Sequence, residues 1–336
     1  MITGISGQDG YYLTKLALNN GFNVIGLLRP ETSKKSINQS SRLGEHFNNN
    51  DVKLIDIDLR DTSQLQDVIK EFNPIYFAHL ASQSSVRDSF KDKKNTYESN
   101  TVVSNNLIDT IEKFSKETVL FFPSSATIYE GYENTVVNEL TTPKPKTVYS
   151  ISKLATQNYI KEKIQAKNLN LNTGIMFSHE SPYRSSKFFS KKIIEFLINY
   201  KENNKLSIKV GNLSIERDIG YAPEYVDAIF SILKNNRKEE YIVSSNTLTK
   251  LYNFLNICLD YLDINYEVVI SDNNVSYINK DNNFEFITST SDQFRVHDLI
   301  GIRGDNKKIL EQLSWKPTKK LEQICEIMLD FELGKK

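Results

Sequence analysis

Tyr149 and Lys153, set four residues apart, lead the side chains of this 336-residue chain that could do chemistry. On a helix, positions i and i+4 stand one above the other on the same face. A phenol and an ammonium so placed can point into one cleft, where the cation favours phenolate and draws the Tyr pKa down. A Tyr tuned that way can act as a general base near neutral pH. Ser124-Ser125-Ala126-Thr127 precedes the pair. Alone, Y-x-x-x-K also describes an ordinary solvated helix face. The reading therefore depends on whether the chain supplies a redox cofactor and a substrate site.

A cofactor site is suggested at the start. Met1-Ile2-Thr3 leads into Gly4-Ile5-Ser6-Gly7-Gln8-Asp9-Gly10, and apolar residues then recur at helical spacing through Leu18. Strand, glycine-rich turn and helix bring backbone N–H groups and a helix N-terminus up to a pyrophosphate. The spacing is G-x-x-G-x-x-G, where the commoner dinucleotide fingerprint is G-x-G-x-x-G. The strand ahead of the turn is short, which leaves open a few residues before Met1 or an abbreviated strand. A second strand, 23–28, ends in Arg29, with no carboxylate before Glu31. An acidic residue there would hold the ribose 2′-OH of NAD, whereas a cation suits the 2′-phosphate of NADP. NADP is therefore favoured, NAD stays possible, and a solvated basic loop is the plain alternative.

Further strands are expected at 52–59, 75–81, 119–122 and 172–177, with helices following 59, spanning about 95–113 and carrying Tyr149 and Lys153. Asp58, at the end of its strand, could bond an adenine amino group. Apolar strands alternating with helices mean an α/β fold with a doubly wound parallel sheet of Rossmann type. Ligands in such sheets sit beyond the carboxyl ends of the strands, where the Gly turn, Gln83 and Ser125 would converge. From residue 178 the character changes, so residues 1–177 read as the cofactor domain and 178–336 mainly as a smaller substrate-binding lobe. Ser178, His179, Glu180, Lys187, Lys192, Val210, Asn212, Arg217, Arg295 and Asp298 are its candidate contacts. A forked guanidinium suits a diphosphate, so Arg217 and Arg295 are candidates to clamp one, with plain surface arginine as the alternative.

Composition excludes several classes. Lys+Arg and Asp+Glu balance at 42 each, giving no reason to expect nucleic acid or a membrane surface. Two distant cysteines, Cys258 and Cys325, and four histidines without ligand spacing argue against disulfides or a metal. No apolar run is long enough to span a bilayer, so a cytoplasmic protein is expected.

With these residues laid out, the chain resembles the extended short-chain dehydrogenase/reductase superfamily along nearly its whole length. The resemblance rests on the TGxxGxxG turn, Asp58-Leu59, Leu80-Ala81, Ser124-Ser125-Ala126-Thr127 and Tyr149-x-x-x-Lys153. Within it, the GDP-mannose 4,6-dehydratase branch is most similar. Gly7-Gln8-Asp9-Gly10 matches its turn. Ser178-His179-Glu180-Ser181-Pro182-Tyr183-Arg184 resembles its N-H-E-S-P-R-R segment, with Ser178 in place of the Asn and Tyr183 in place of an Arg. Arg217-Asp218-Ile219-Gly220 and Gly304-Asp305 through Trp315-Lys316-Pro317 are similar to further signatures. The resemblance implies a GDP-sugar substrate of mannose or heptose type, an NADP cofactor lined by Leu59, Leu80 and Ala81, and a homodimer or homotetramer. It further implies that Tyr149 takes the proton of the sugar 4-OH, Ser125 bonds the reacting oxygen, and Lys153 holds the nicotinamide ribose. Arg217 and Arg295 would hold the diphosphate and Asp298 a ribose hydroxyl pair.

One departure matters for the reaction. The branch's active-site segment reads Thr-Ser-Glu or Thr-Asp-Glu, and its Glu abstracts the C5 proton. Here Ala126 and Thr127 stand at the last two positions, and neither accepts a proton as a carboxylate does. Glu130 lies three residues too far along. The expectation is hydride transfer at C4, as a 4-dehydrogenase or epimerase, without elimination of the 6-hydroxyl. The alternative is a 4,6-dehydratase with a substituted base, and further off a non-catalytic nucleotide-sugar-binding protein.

Overall fold

The chain is described by a computed structural model over residues 1–30, 52–84, 86–271, 274–294 and 299–335. Seven parallel strands form the main sheet: β1 (Ile2–Thr3), β2 (Val24–Leu28), β3 (Val52–Asp56), β4 (Tyr76–His79), β5 (Val119–Ser125), β6 (Leu171–Met176) and β7 (Glu240–Val243). Their order across the sheet is β7-β6-β5-β4-β1-β2-β3. The chain reverses direction of travel at β1, which pairs Ile2 with both Gly26 and Ala78. Ligands collect at such a switch point.

Strands buried on both faces read as continuous apolar runs, and β5 shows why. Phe121 packs with Ile2, Tyr225 and Ile229 on one side of the sheet. Leu120 and Phe122 pack with Leu65, Leu107 and Ile160 on the other. The helices responsible are α1 (Gln8–Asn19), α2 (Thr62–Phe72), α3 (Val103–Phe114), α4 (Val148–Lys167) and α5 (Ala222–Asn235). α1 and α5 cover the first face, and α2, α3 and α4 cover the second. The architecture is the doubly wound α/β sheet expected from the sequence. Its last helix and strand, α5 and β7, return from beyond residue 177.

The remaining chain builds a smaller lobe around Ile193, Leu197, Tyr200, Phe254, Phe286 and Met328. Three of its strands, Ser178–Glu180, Glu216–Tyr221 and Leu248–Lys250, form a sheet of their own beside the β6 exit.

Two local features aim the candidate residues. The helix expected from about 95 to 113 is interrupted by a π-turn at Glu98–Val102 ahead of α3. Such a turn carries an extra residue, and here it directs Asn100 inward, where its amide bonds Ser152 on α4. The start of α4 is fixed by Thr147, whose hydroxyl accepts from Ser150 N–H in a reciprocal cap. Below it lies Glu130, buried, whose Oε1 accepts from the backbone N–H groups of Lys146 and Thr147 and from the Ser150 hydroxyl. A carboxylate at a helix N-terminus also suits the helix dipole.

Removing that carboxylate strands buried donors. Glu130→Ala should lower stability by about 3–5 kcal/mol, since each unsatisfied buried donor costs about 1–3 kcal/mol. Glu130→Gln retains an oxygen for the same donors and should cost less than half as much. Urea unfolding measures both, and an alanine variant within about 1 kcal/mol of wild type would remove this role.

Candidate active site

The strand ends converge on one edge of the sheet, beginning with the glycine turn after β1. Gly4 has φ +69, and a Cβ there would lie 2.8 Å from Ala81 N. The turn therefore presses on the backbone leaving β4, at the expected Leu80 and Ala81. A Cβ at Gly10 would lie 2.3 Å from Gly4 O, so the helix can start this close to the turn only with glycine there. Gly7 caps α1 with no side-chain acceptor, leaving the first-turn N–H groups of the helix for another partner. Cramped backbone, glycines and an uncapped helix N-terminus fit a dinucleotide diphosphate. Arg29 is exposed at the end of β2. Near it, Asp58 is bonded by Arg60 at 2.7 Å and 2.9 Å, which holds its carboxyl below the usual range.

Tyr149, Lys153 and Ser125 meet at the ends of β5 and α4. The Ser125 hydroxyl lies close enough to the Tyr149 phenol to pull its pKa down, and it accepts from Thr127 Oγ1 at 3.0 Å and Thr127 N at 3.3 Å. Lys153 is 2% exposed, and its Nζ donates to Pro123 O at 2.9 Å while lying 5.0 Å from the centre of the Phe122 ring. Burial presses its ammonium down to about 7. The cation expected to activate Tyr149 is thus itself poorly solvated and sits 6.0 Å from the phenol ring. The Tyr149 pKa moves up, against the expectation from its Lys neighbour. Burial dominates, with the Ser125 hydroxyl and the Arg184 charge pulling the other way. Behind Lys153 lies His79, buried and pushed down to about 3 by burial and then by the lysine charge. Its ring bonds Thr3 Oγ1 at 2.9 Å and Ser104 Oγ at 3.0 Å.

The side chains of Gln8 and Asp9 turn towards the segment after β6. His179 faces the Asp9 carboxylate, with Nε2 3.1 Å from each oxygen, and its Nδ1 donates to Phe177 O at 2.7 Å. Both ring nitrogens face acceptors, so both carry protons and the ring is an imidazolium. Burial opposes both charges, yet the pair overcomes it: Asp9 is held down and His179 raised. Gln8 donates to His179 O at 3.2 Å and accepts from Ser181 Oγ at 2.8 Å.

The other expected residues lie as follows. Gln83 exchanges backbone hydrogen bonds with the Asn100 amide at 2.8 Å and 3.1 Å. Glu180 is buried, bonded by Ser190 and paired with Arg184 at 3.3 Å. Ser178 is half-buried on the lobe strand beside Ile219. Lys187 and Lys192 are exposed, Val210 is buried, and Asn212 caps a turn by accepting from Ser214 N at 2.9 Å. Arg217 donates to Leu299 O. Arg295 and Asp298 lie outside the described residues. Three residues not singled out in the sequence emerge beside the pair: Asn100 and His79, behind α4, and Arg184. The Arg184 guanidinium stacks 3.7 Å over Phe188, and its charge reaches Tyr149, Asp9 and His179.

The chain is similar to known proteins over nearly its whole length. The family profile described as GDP-mannose 4,6 dehydratase covers residues 1–328. GDP-mannose 4,6 dehydratase 2 of Arabidopsis thaliana is 29% identical over 338 residues, covering 99% of this chain and 86% of the relative. Among solved structures, UDP-glucose 4-epimerase of Thermus thermophilus in complex with NAD superposes with a TM-score of 0.80 at 20% identity, covering 99% of this chain and 98% of the other. RMD of Pseudomonas aeruginosa complexed with NADPH does so at 0.74 and 18%, covering 98% and 97%.

Lys153 gives a pH signature. In the unfolded chain a lysine titrates near about 10.4, so between about pH 7 and 10 the unfolded state holds a proton that the folded state has released. Stability rises with pH wherever the unfolded state binds more protons. The melting temperature of the ligand-free wild type, minus that of Lys153→Met, should therefore climb across this window. A difference that stays flat with pH would mean that Lys153 is not held in this buried state.

Proposed function

Because the chain belongs to the GDP-mannose 4,6 dehydratase family, we propose that it is a nucleotide-sugar oxidoreductase that opens its reaction by hydride transfer at C4 of a GDP-sugar. The observation that carries this reading is the meeting of Ser125, Tyr149 and Lys153 beside a glycine turn with no room for side chains. Tyr149 takes the proton of the 4-hydroxyl, Ser125 hydrogen-bonds the same oxygen, and Lys153 holds the nicotinamide ribose. NADP, when bound, supplies the nicotinamide that accepts the hydride. The exposed Arg29 at the end of β2 favours NADP, and NAD remains the alternative cofactor.

The relatives' names favour 4,6-dehydration as the net reaction, ahead of hydride transfer alone. A base must then remove the C5 proton from somewhere other than position 127. The second reading, C4 oxidation or epimerisation without loss of water, draws on a specific observation. Thr127 is bonded to Ser125 and carries no ionisable group, and Glu130, the next carboxylate along the chain, is taken up by the start of α4. Both readings share Tyr149 and the first step.

Residues 1–177 act as the cofactor domain and 178–336 mainly as the nucleotide-sugar lobe in this proposal, with Arg217 towards the diphosphate. Arg295 and Asp298 belong to it on resemblance alone. Phe90, Tyr97, Val102 and Ile151 are exposed apolar side chains on the helices around α3 and α4, which supports pairing of two copies through that face, as a dimer or half of a tetramer. Among the described residues no helix is long and apolar enough to cross a membrane.

Incubation with GDP-mannose and NADP, followed by mass spectrometry of the nucleotide sugar, separates the readings. Loss of one water establishes dehydration and sinks the second reading. An isobaric product, or one lighter by two hydrogens, sinks dehydration. Tyr149→Phe should abolish turnover while cofactor binding persists; unchanged turnover would take Tyr149 out of the reaction.

A further inference from the structure

We propose that the contact between the glycine turn and residues 177–183 makes cofactor and nucleotide-sugar binding depend on one another, with Gln8, Asp9 and His179 as the positioning residues. This rests on the functional reading above, since it concerns the two ligands of that site.

Gln8 and Asp9 occupy the first turn of α1, the part of the chain whose N–H groups would hold the cofactor diphosphate. Each is bonded to a segment about 170 residues away: Asp9 to the His179 ring, and Gln8 to His179 O and Ser181 Oγ. A third contact joins the next residues along, Tyr183 OH donating to Tyr11 OH at 3.2 Å with ring centres 4.2 Å apart. Behind the His179 ring, Tyr225 stacks at 4.7 Å, so the imidazolium cannot move without breaking packing on α5. The far segment carries Ser178, Glu180 and Arg184, which begin the lobe.

The charge arrangement makes the junction two-sided. A carboxylate in the first turn of α1 suits the helix dipole but opposes a diphosphate at the same terminus. His179 supplies the compensating charge, and it comes from the lobe. The cofactor end of α1 is therefore electrostatically complete only with residues 177–183 in place. Conversely, a diphosphate that draws the turn tight against its N–H groups also fixes Gln8 and Asp9, and through them the entrance to the lobe. Coupling between sites is reciprocal, so either ligand should tighten the other by the same factor.

Isothermal titration of the full-length protein tests this with GDP in the absence and presence of saturating NADP, and with the order reversed. Wild type should show tightening of at least about fivefold in both orders, the lower end of ordinary coupling. In Asp9→Asn, which keeps shape and removes charge, and in Gln8→Ala, the factor should fall towards one while each ligand still binds alone. Ser181→Ala removes a single bond from the lobe side and covers the case in which the turn variants fail to fold. Wild type binding both ligands with each indifferent to the other overturns the coupling alone, as do variants that keep the wild-type factor. Wild type binding neither ligand overturns the functional reading and the coupling with it.

Discussion

The arrangement of this site depends on one buried carboxylate at the base of α4. Glu130 accepts the N–H groups of Lys146 and Thr147 and the hydroxyl of Ser150, and so decides where the helix begins. A helix turns 100° per residue, so a start displaced by one residue would carry Tyr149 and Lys153 off the cleft. The same residue ties the turn after β5 to the helix, because Glu130 directly follows the short 3₁₀ segment Ala126–Tyr129 that Ser125 caps. Ser125 and Tyr149 meet because the two elements that carry them share this carboxylate.

A second constraint is the cost of keeping an ammonium in the interior. Lys153 has a backbone carbonyl and an aromatic face for partners, and among the described residues no carboxylate pairs with it. The polar groups behind it are satisfied among themselves, through Thr3, His79 and Ser104. Ser104 passes its own proton to Asn100 O, which forces the His79 ring to donate through Nε2 and to accept from Thr3 through Nδ1. His79 is thereby a neutral ring and adds no charge beside the lysine. A protonated His79 would drive the ammonium further from its charged form, and burial excludes it.

Much of this was legible in the sequence. Apolar strands alternating with helices gave the parallel sheet because strands buried on both faces need apolar residues throughout. The glycine turn was legible because a Cβ at position 4 or 10 has nowhere to go. The pair Tyr149/Lys153 was legible because helical geometry fixes the relation of i and i+4. What was not legible depends on direction. Asn100 looks like any asparagine in a helix, and only the π-turn aims it at α4. Arg184 lay within a recognised segment, yet its approach to Tyr149 follows from stacking on Phe188, which spacing does not reveal. The upward sense of the Tyr149 shift depends on the burial of both groups, which a spacing of four residues does not carry.

The surroundings of Tyr149 and Lys153 act on the two groups in the same sense. Burial pushes the Tyr149 phenol up and the Lys153 ammonium down, so it favours the neutral form of both side chains. Both shifts have the same origin, burial at the start of α4, where a backbone carbonyl and an aromatic face are the partners of the lysine. A hydroxyl brought within hydrogen-bond reach of the ammonium would favour its charged form, and a charged Lys153 lowers the phenol beside it. The Glu130-held start of α4 and the turn after β5, which bury both groups, therefore set the electrostatics of the phenol as much as they set its position.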